Sequence, residues 1–242
     1  MDKNDLIIDL ADVSFSYPGS VQVLDKLNLQ FYKGSRLGLI GPNGSGKTTL
    51  FHIIMGLLKP TSGNFEVFGK PAQEEKDFRE IRRKIGLLFQ DADDQLFSPT
   101  VLEDVAFGPL NLGKSKEEAI AVAQSTLAFL GLTGFENRLT YKLSGGEKRL
   151  VSLATILSME PEVLLLDEPM AGLDDQTKEK LKRTLVALDL SYIVISHEID
   201  FLSEITDFTY TMAGGKIFLD QKLHLHQHYH AHTHGAQPHE HA

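Results

Sequence analysis

The chain has 242 residues, 42% of them hydrophobic, and no cysteine, which allows a full core and excludes disulfides and thiolate metal sites. Its 33 acidic residues outnumber 24 Lys and Arg, and the formal net charge of −9 argues against broad nucleic-acid binding. No apolar run approaches the roughly 18 residues of a spanning helix, and the opening Met-Asp-Lys-Asn-Asp has no signal-like stretch, so the chain is expected not to cross a membrane itself.

Residues 6–10, 13–17 and 27–31 alternate or cluster apolar side chains, with Pro18-Gly19 as a turn, and predict a β-rich entry. Leu37, Leu39 and Ile40 make a short buried strand. The stretch that follows, Gly41-Pro42-Asn43-Gly44-Ser45-Gly46-Lys47-Thr48-Thr49, has the spacing of a phosphate-binding loop. Its glycines let main-chain N–H groups turn toward phosphate oxygens, while Lys47 reaches the terminal phosphates and the Thr48 hydroxyl ligates Mg²⁺. Leu50, Ile53, Ile54 and Leu57 continue at helical spacing, which would set the phosphates on a helix N-terminus. Residues 59–63 end that helix and 65–68 supply another strand. The charged stretch 74–84 leads into an apolar strand, 85–89, that ends at Gln90.

From 91 to 141 the pattern turns helical. Ser115 with Glu118 is a capping-box signature ahead of Ile120, Ala123, Leu127 and Leu130, and Ser144 with Glu147 repeats it ahead of Leu150, Leu153, Ala154 and Leu157. Glu160-Pro161 stops the second helix. Residues 163–166 then form a short, wholly apolar strand of the kind found in parallel sheets, 175–188 an amphipathic helix, and 192–195 another buried strand. A hairpin over 208–219 closes this α/β alternation. Beyond Asp220 the composition breaks, with histidine at every second position from His224 to His234.

Two further motifs carry chemistry. Val163-Leu164-Leu165-Leu166-Asp167-Glu168-Pro169 ends an apolar strand in two acids, placing Asp167 beside Mg²⁺ and Glu168 where it can polarise a water attacking the γ-phosphate. Leu143-Ser144-Gly145-Gly146-Glu147 opens a helix with a second anion-binding terminus, redundant for one ATP unless it serves an ATP on another subunit.

With these motifs in this order, residues 6–219 resemble the ATP-binding subunits of ABC transporters. The resemblance implies an α/β fold: an ABC-type P-loop ATPase with a RecA-like parallel-sheet core, an N-terminal antiparallel β subdomain and an inserted α-helical subdomain at about 91–158. It implies catalytic roles for Glu168, His197, Lys47 and Gln90. It places ATP on Tyr17, which stacks on adenine, on Gly41, Pro42, Asn43, Gly44, Ser45, Gly46, Lys47, Thr48 and Thr49, and on Ser144, Gly145, Gly146 and Glu147 of an opposing subunit. Thr48, Gln90 and Asp167 would attend Mg²⁺, and Ala171-Gly172-Leu173-Asp174 would cross between subunits. Glu147 stands where glutamine is commoner, Met170 where threonine is, and Asp175 where proline is; none removes a phosphate, metal or water ligand.

Gln90-Asp91-Ala92-Asp93-Asp94-Gln95-Leu96-Phe97-Ser98-Pro99-Thr100-Val101 and residues 104–112 are similar to the ATPases of energy-coupling-factor importers, especially the cobalt and nickel branch. That resemblance implies a homodimer or heterodimer of ATPase subunits on the cytoplasmic face of the cell membrane. It also implies a membrane-embedded coupling subunit, met by Asp93 and Asp94, and a substrate-binding membrane subunit, with no nucleic acid. His224, His226, His228, His230, His232 and His234 in the 220–242 tail suit Ni²⁺, Co²⁺, Zn²⁺ or Cu²⁺ and do not name the metal; Ni²⁺ or Co²⁺ is what the importer resemblance implies. An affinity tail and a functionless end are the other readings of that segment, as a vitamin importer and a soluble ABC ATPase are of the whole.

Overall fold

The computed structural model describes residues 5–19 and 21–219. In chain order it runs β1 (Leu6–Ser16), β2 (Gln22–Tyr32), β3 (Arg36–Ile40), α1 (Lys47–Ile54), β4 (Ser62–Val67) and β5 (Lys70–Pro71). It continues with α2 (Glu75–Lys84), β6 (Ile85–Leu88), α3 (Val101–Asn111), α4 (Lys116–Phe129) and α5 (Gly145–Leu157). The last elements are β7 (Val163–Asp167), α6 (Asp175–Ala187), β8 (Ser191–Ile195), α7 (Ile199–Ile205), β9 (Phe208–Ala213) and β10 (Lys216–Leu219).

The entry is an antiparallel sheet ordered β2-β1-β4-β5. Where the sequence suggests two strands, 6–10 and 13–17, there is one bulged strand that ends at Ser16. Its register shifts between Leu10 and Val13, and Asp12 takes φ 54. One extra residue changes the side-chain phase, so Ile8 and Leu10 before the bulge and Val13 and Phe15 after it all face the same core.

The second sheet is ordered β10-β9-β3-β8-β7-β6, parallel from β9 through β6 and closed by the antiparallel β9–β10 hairpin. Each inner strand feeds one core from each face. In β7, Val163 and Leu165 join the cluster with the entry sheet and α1, while Leu164 and Leu166 join the cluster built with α3 to α7. This two-sided burial is why the strand reads as unbroken apolar sequence rather than alternation.

One helical expectation changes, and two helices are found that the sequence did not suggest. Helix α1 stops at Ile54 because Gly56 turns at φ 69, leaving Leu57 50% exposed rather than on the buried face. The charged stretch 74–84 is itself a helix, α2, capped by the Asp77 carboxylate, which accepts the Gln73 and Glu74 N–H groups at 3.1 and 2.9 Å, with Phe78 and Ile81 buried. Helix α7, unmarked by any long periodic run, exists because Phe201, Leu202 and Ile205 are buried on the parallel sheet. Both expected capping boxes, Ser115/Glu118 and Ser144/Glu147, are formed.

Candidate active site

The carboxyl ends of four parallel strands converge, the edge at which open α/β sheets hold ligands. Pairing sets Leu39 of β3 beside Ile195 of β8, Ile195 beside Asp167 of β7, and Leu166 beside Leu88 of β6. The residues that follow are therefore the loop 41–46, Ser196-His197, Glu168 and Phe89-Gln90, all on one rim.

Gly41 adopts φ 151, and a Cβ there would lie 2.2 Å from the Met212 carbonyl oxygen, so the loop can leave β3 against β9 only as glycine. Gly46 takes φ 103 just before α1, where a Cβ would come within 2.8 Å of a Leu24 methyl. Lys47 Nζ is buried and donates to the Gly41 and Pro42 carbonyls at 2.8 and 3.1 Å. Burial lowers its pKa, a shift opposed by Glu168 and Asp167. The Thr48 hydroxyl donates to Asp167 Oδ2 at 2.7 Å, bringing the two expected Mg²⁺ ligands together across 119 residues.

Asp167 is buried, and burial raises its pKa against the pull of the Thr48 bond. Glu168 is held at φ 46, its N–H donating to the Ile195 carbonyl at 3.0 Å. Its Oε1 is buried without a hydrogen bond and lies 3.3 Å from His197 Nε2; burial, with Asp167 alongside, pushes its pKa up. His197 Nε2 also sits 3.1 Å from Asn43 Oδ1, so the histidine spans the phosphate loop and the second acid. The Tyr17 hydroxyl is 3.2 Å from Thr49 Oγ1, and its 41%-exposed ring meets Phe15 edge-on at 4.9 Å.

Tyr17, Asn43, Gly44, Gly46, Lys47, Thr48, Thr49, Gln90, Asp167, Glu168 and His197 line one cavity of about 570 Å³. The donor set fits Mg²⁺ with a polyphosphate. A hydroxyl and a carboxylate stand together for a hard cation, a buried ammonium is satisfied only by carbonyls, and the Ser45 hydroxyl and Glu168 Oε1 are buried without partners. Among the described residues no group of three or more His, Asp or Glu is arranged for a metal. His224, His226, His228, His230, His232 and His234 lie outside the described residues.

Ser144, Gly146 and Glu147 are not brought into this cavity. They open α5, where Ser144 Oγ accepts the Glu147 N–H at 3.3 Å and Glu147 Oε2 accepts the Ser144 N–H at 2.8 Å. Gly145 borders an adjoining cleft of about 900 Å³ that Gln90, Asp91 and Asp167 also line.

The sequence reading missed Arg149. One turn into α5 and 4% exposed, it donates to the carbonyls of Phe89 at 2.5 Å, Gln90 at 2.6 Å and Glu168 at 3.1 Å. Burial lowers its pKa against the attraction of Asp167, Asp91 and Glu168. A charged residue beside Leu150 on a helix otherwise read by its apolar face was the available signal. The loop after Gln90 is fastened as well: Gln95 Nε2 donates to the Ser152 carbonyl and Thr155 hydroxyl at 2.7 and 2.8 Å. Asp93, expected to meet the coupling subunit, is already paired with Lys148 at 2.5 Å, while Asp94 is exposed. Beside them Phe97 and Phe107 are 66% and 45% exposed and meet edge to face at 4.7 Å.

The family described as ABC transporter matches residues 24–171. The energy-coupling factor transporter ATP-binding protein EcfA of Methanocaldococcus jannaschii is 44% identical over 215 residues, 87% of this chain and 77% of that one. CbiO1 of Clostridium perfringens, part of the ABC transporter complex cbiONQ, superimposes with TM-score 0.80 at 34% identity, covering 89% of this chain and 88% of its own. An ATP-binding cassette solved as a dimer in a post-hydrolysis state with ADP and Pi gives TM-score 0.81 at 28% identity, over 90% of this chain and 99% of that one.

Proposed function

Because this chain belongs to the ATP-binding subunits of ABC transporters, we propose that it powers import of nickel or cobalt through an energy-coupling-factor transporter. ATP hydrolysis coupled to transport comes with the family; the cargo is the step beyond it. One observation carries that step: the six alternating histidines from His224 to His234, whose neutral imidazoles suit late first-row divalent metals. The stretch from Gln90 to Leu112, similar to the cobalt and nickel branch, supports it independently.

In this reading Lys47 exchanges its two carbonyl partners for the terminal phosphates of ATP, and the ring of Tyr17 lies against adenine. Thr48 and Asp167, attended by Gln90, would hold Mg²⁺, whose charge would offset that developing on the phosphoryl oxygens. Glu168, half-buried with its Oε1 buried and without a hydrogen bond, orients the attacking water and accepts its proton. His197, anchored by Asn43, contacts the γ-phosphate. Catalysis is thus positioning plus preorganised charge. Ser144, Gly145, Gly146 and Glu147, outside this cleft, serve the ATP of a second ATPase chain, the same or a related one. Two chains closed on ATP reopen when hydrolysis removes the γ-phosphate contacts.

The transporter reading places the chain against the cytoplasmic face of the membrane, with Asp94, Phe97 and Phe107 toward the coupling subunit. The 1–219 ATPase unit, with its helical part near 91–158, works without the tail, which holds incoming metal. Uptake of radiolabelled nickel, cobalt and biotin by the native host tests this, comparing wild type with chromosomal Glu168→Gln and with a chain ending at Leu219. Loss of nickel or cobalt uptake in Glu168→Gln is the expected result; loss of biotin uptake alone would replace the metal with a vitamin.

A further inference from the structure

Glu147 is where the sequence departs from the glutamine commoner at the end of its motif, and the structure gives it a partner. Its Oε2 accepts the Ser144 N–H at 2.8 Å, and its Oε1 accepts from Arg138 Nη1 at 2.6 Å. Arg138 is held in place from its own side. Its guanidinium lies 3.8 Å from the Phe135 ring centre, its N–H donates to the Phe135 carbonyl at 2.8 Å, and its carbonyl accepts the Val101 N–H at 3.0 Å. Both carboxylate oxygens are therefore engaged, with half of the arginine side chain still exposed beside the start of α5.

A carboxylate in the first turn favours the helix, but it repels a triphosphate brought to the same end. Glutamine would keep the bond to the Ser144 N–H without the charge. Glutamate needs a neutralising partner, and a guanidinium held against an aromatic face is one that stays in position. We propose that Arg138 is a positioning residue for the nucleotide: by neutralising Glu147 it lets the Ser144–Gly146 end of α5 receive the triphosphate of an opposing chain. This rests on the reading that this helix end faces the ATP of a second chain.

The test is ATP-driven dimer formation by the full chain, carried in the Glu168→Gln background and followed by analytical ultracentrifugation across ATP concentrations. Arg138→Ala should raise the ATP needed for half-maximal dimer roughly tenfold, the scale of one partly screened charge near a phosphate. Arg138→Lys should raise it less. Glu147→Gln alone leaves the Arg138 charge uncompensated beside the phosphates and should lower the ATP needed, and adding Glu147→Gln to Arg138→Ala, which removes both charges, should restore the parent value. A merely structural arginine gives no such rescue, because Glu147→Gln removes the same ion pair. A fluorescent ATP analogue bound by dilute monomer should read the same affinity in every variant, since that affinity depends on Lys47. Parent-like dimerisation of Arg138→Ala, or a double variant as weak as the single, overturns the proposal alone. A parent that never dimerises with ATP overturns it together with the two-chain reading.

Discussion

Arg149 Nη2 donates to the main-chain carbonyl of Glu168 at 3.1 Å while the same guanidinium holds the carbonyls of Phe89 and Gln90. The helix that opens with Ser144 is thereby bolted to the strand ends that carry Glu168, the carboxylate proposed to orient water, and Gln90. A shift of α5 is a shift of both.

Arg149→Met leaves three carbonyls without their charged donor and should destabilise the chain by about 3 kcal/mol, seen as a lower denaturant midpoint at unchanged slope. Arg149→Lys keeps the charge but cannot reach all three oxygens in the fork geometry of arginine. Its kcat for ATP should fall about tenfold or more, with KM little changed. Equal loss in kcat and in nucleotide affinity would show that Arg149 supports the whole domain rather than the reacting groups.

Gly41→Ala should abolish nucleotide binding while the rest of the chain folds. The added methyl would meet the Met212 carbonyl oxygen at 2.2 Å, and the backbone φ of 151 is one that alanine avoids, so the loop must move off β9. Isothermal titration with ATP reads the loss; wild-type affinity in a folded Gly41→Ala chain would refute the loop geometry.

Two serines in like positions separate stability from activity. Ser115 and Ser144 each cap a helix by accepting the N–H of the third helical residue, Glu118 and Glu147, at 3.2 and 3.3 Å. Alanine at either should cost about 1 kcal/mol. Only Ser144→Ala should also lower ATP hydrolysis, because only that helix end is assigned a phosphate. Thermal melts and steady-state rates on the two variants decide it.

What rests on short contiguous motifs was legible in the sequence: the loop 41–49 and the acids at 167–168, which the fold brings to one cavity, and the capped start at 144, which it does not, are each a local pattern with a local physical reason. The contacts across distance were not. Nothing in the neighbourhood of Arg149 says that it reaches residues 59 and 60 positions earlier, and nothing near Asp93 says that Lys148 neutralises it. The fold behaved likewise. Apolar runs marked the buried strands, while the bulge at Asp12 and the helix over 75–84 stayed hidden, because one arises from phase matching to a core and the other shows only two buried residues in a charged stretch.

Asp104 supplies a pH test away from the ATP cleft. Its buried carboxylate accepts the Phe97 and Ser98 N–H groups at 3.4 and 3.0 Å through Oδ1, while Oδ2 has no hydrogen bond, and burial raises its pKa. A carboxyl whose native pKa lies above its unfolded value favours the native state when protonated. It therefore costs stability as pH rises from the ordinary aspartate range through the raised native value. Asp104→Asn keeps the accepting oxygen and removes the titration. The variant should gain stability relative to wild type across that window and show no such gain at more acid pH. A stability difference that does not change with pH would contradict the assignment.

Glu168→Gln, assayed in purified chain for Mg²⁺-dependent ATP hydrolysis beside ATP binding, tests the assignment on which the transport reading depends. With Oε1 replaced by an amide and the Lys47, Thr48 and Asp167 contacts untouched, hydrolysis should fall at least about 100-fold while ATP binds as tightly as before. Hydrolysis at the wild-type rate would contradict the role given to Glu168, and with it the mechanism drawn from this cleft.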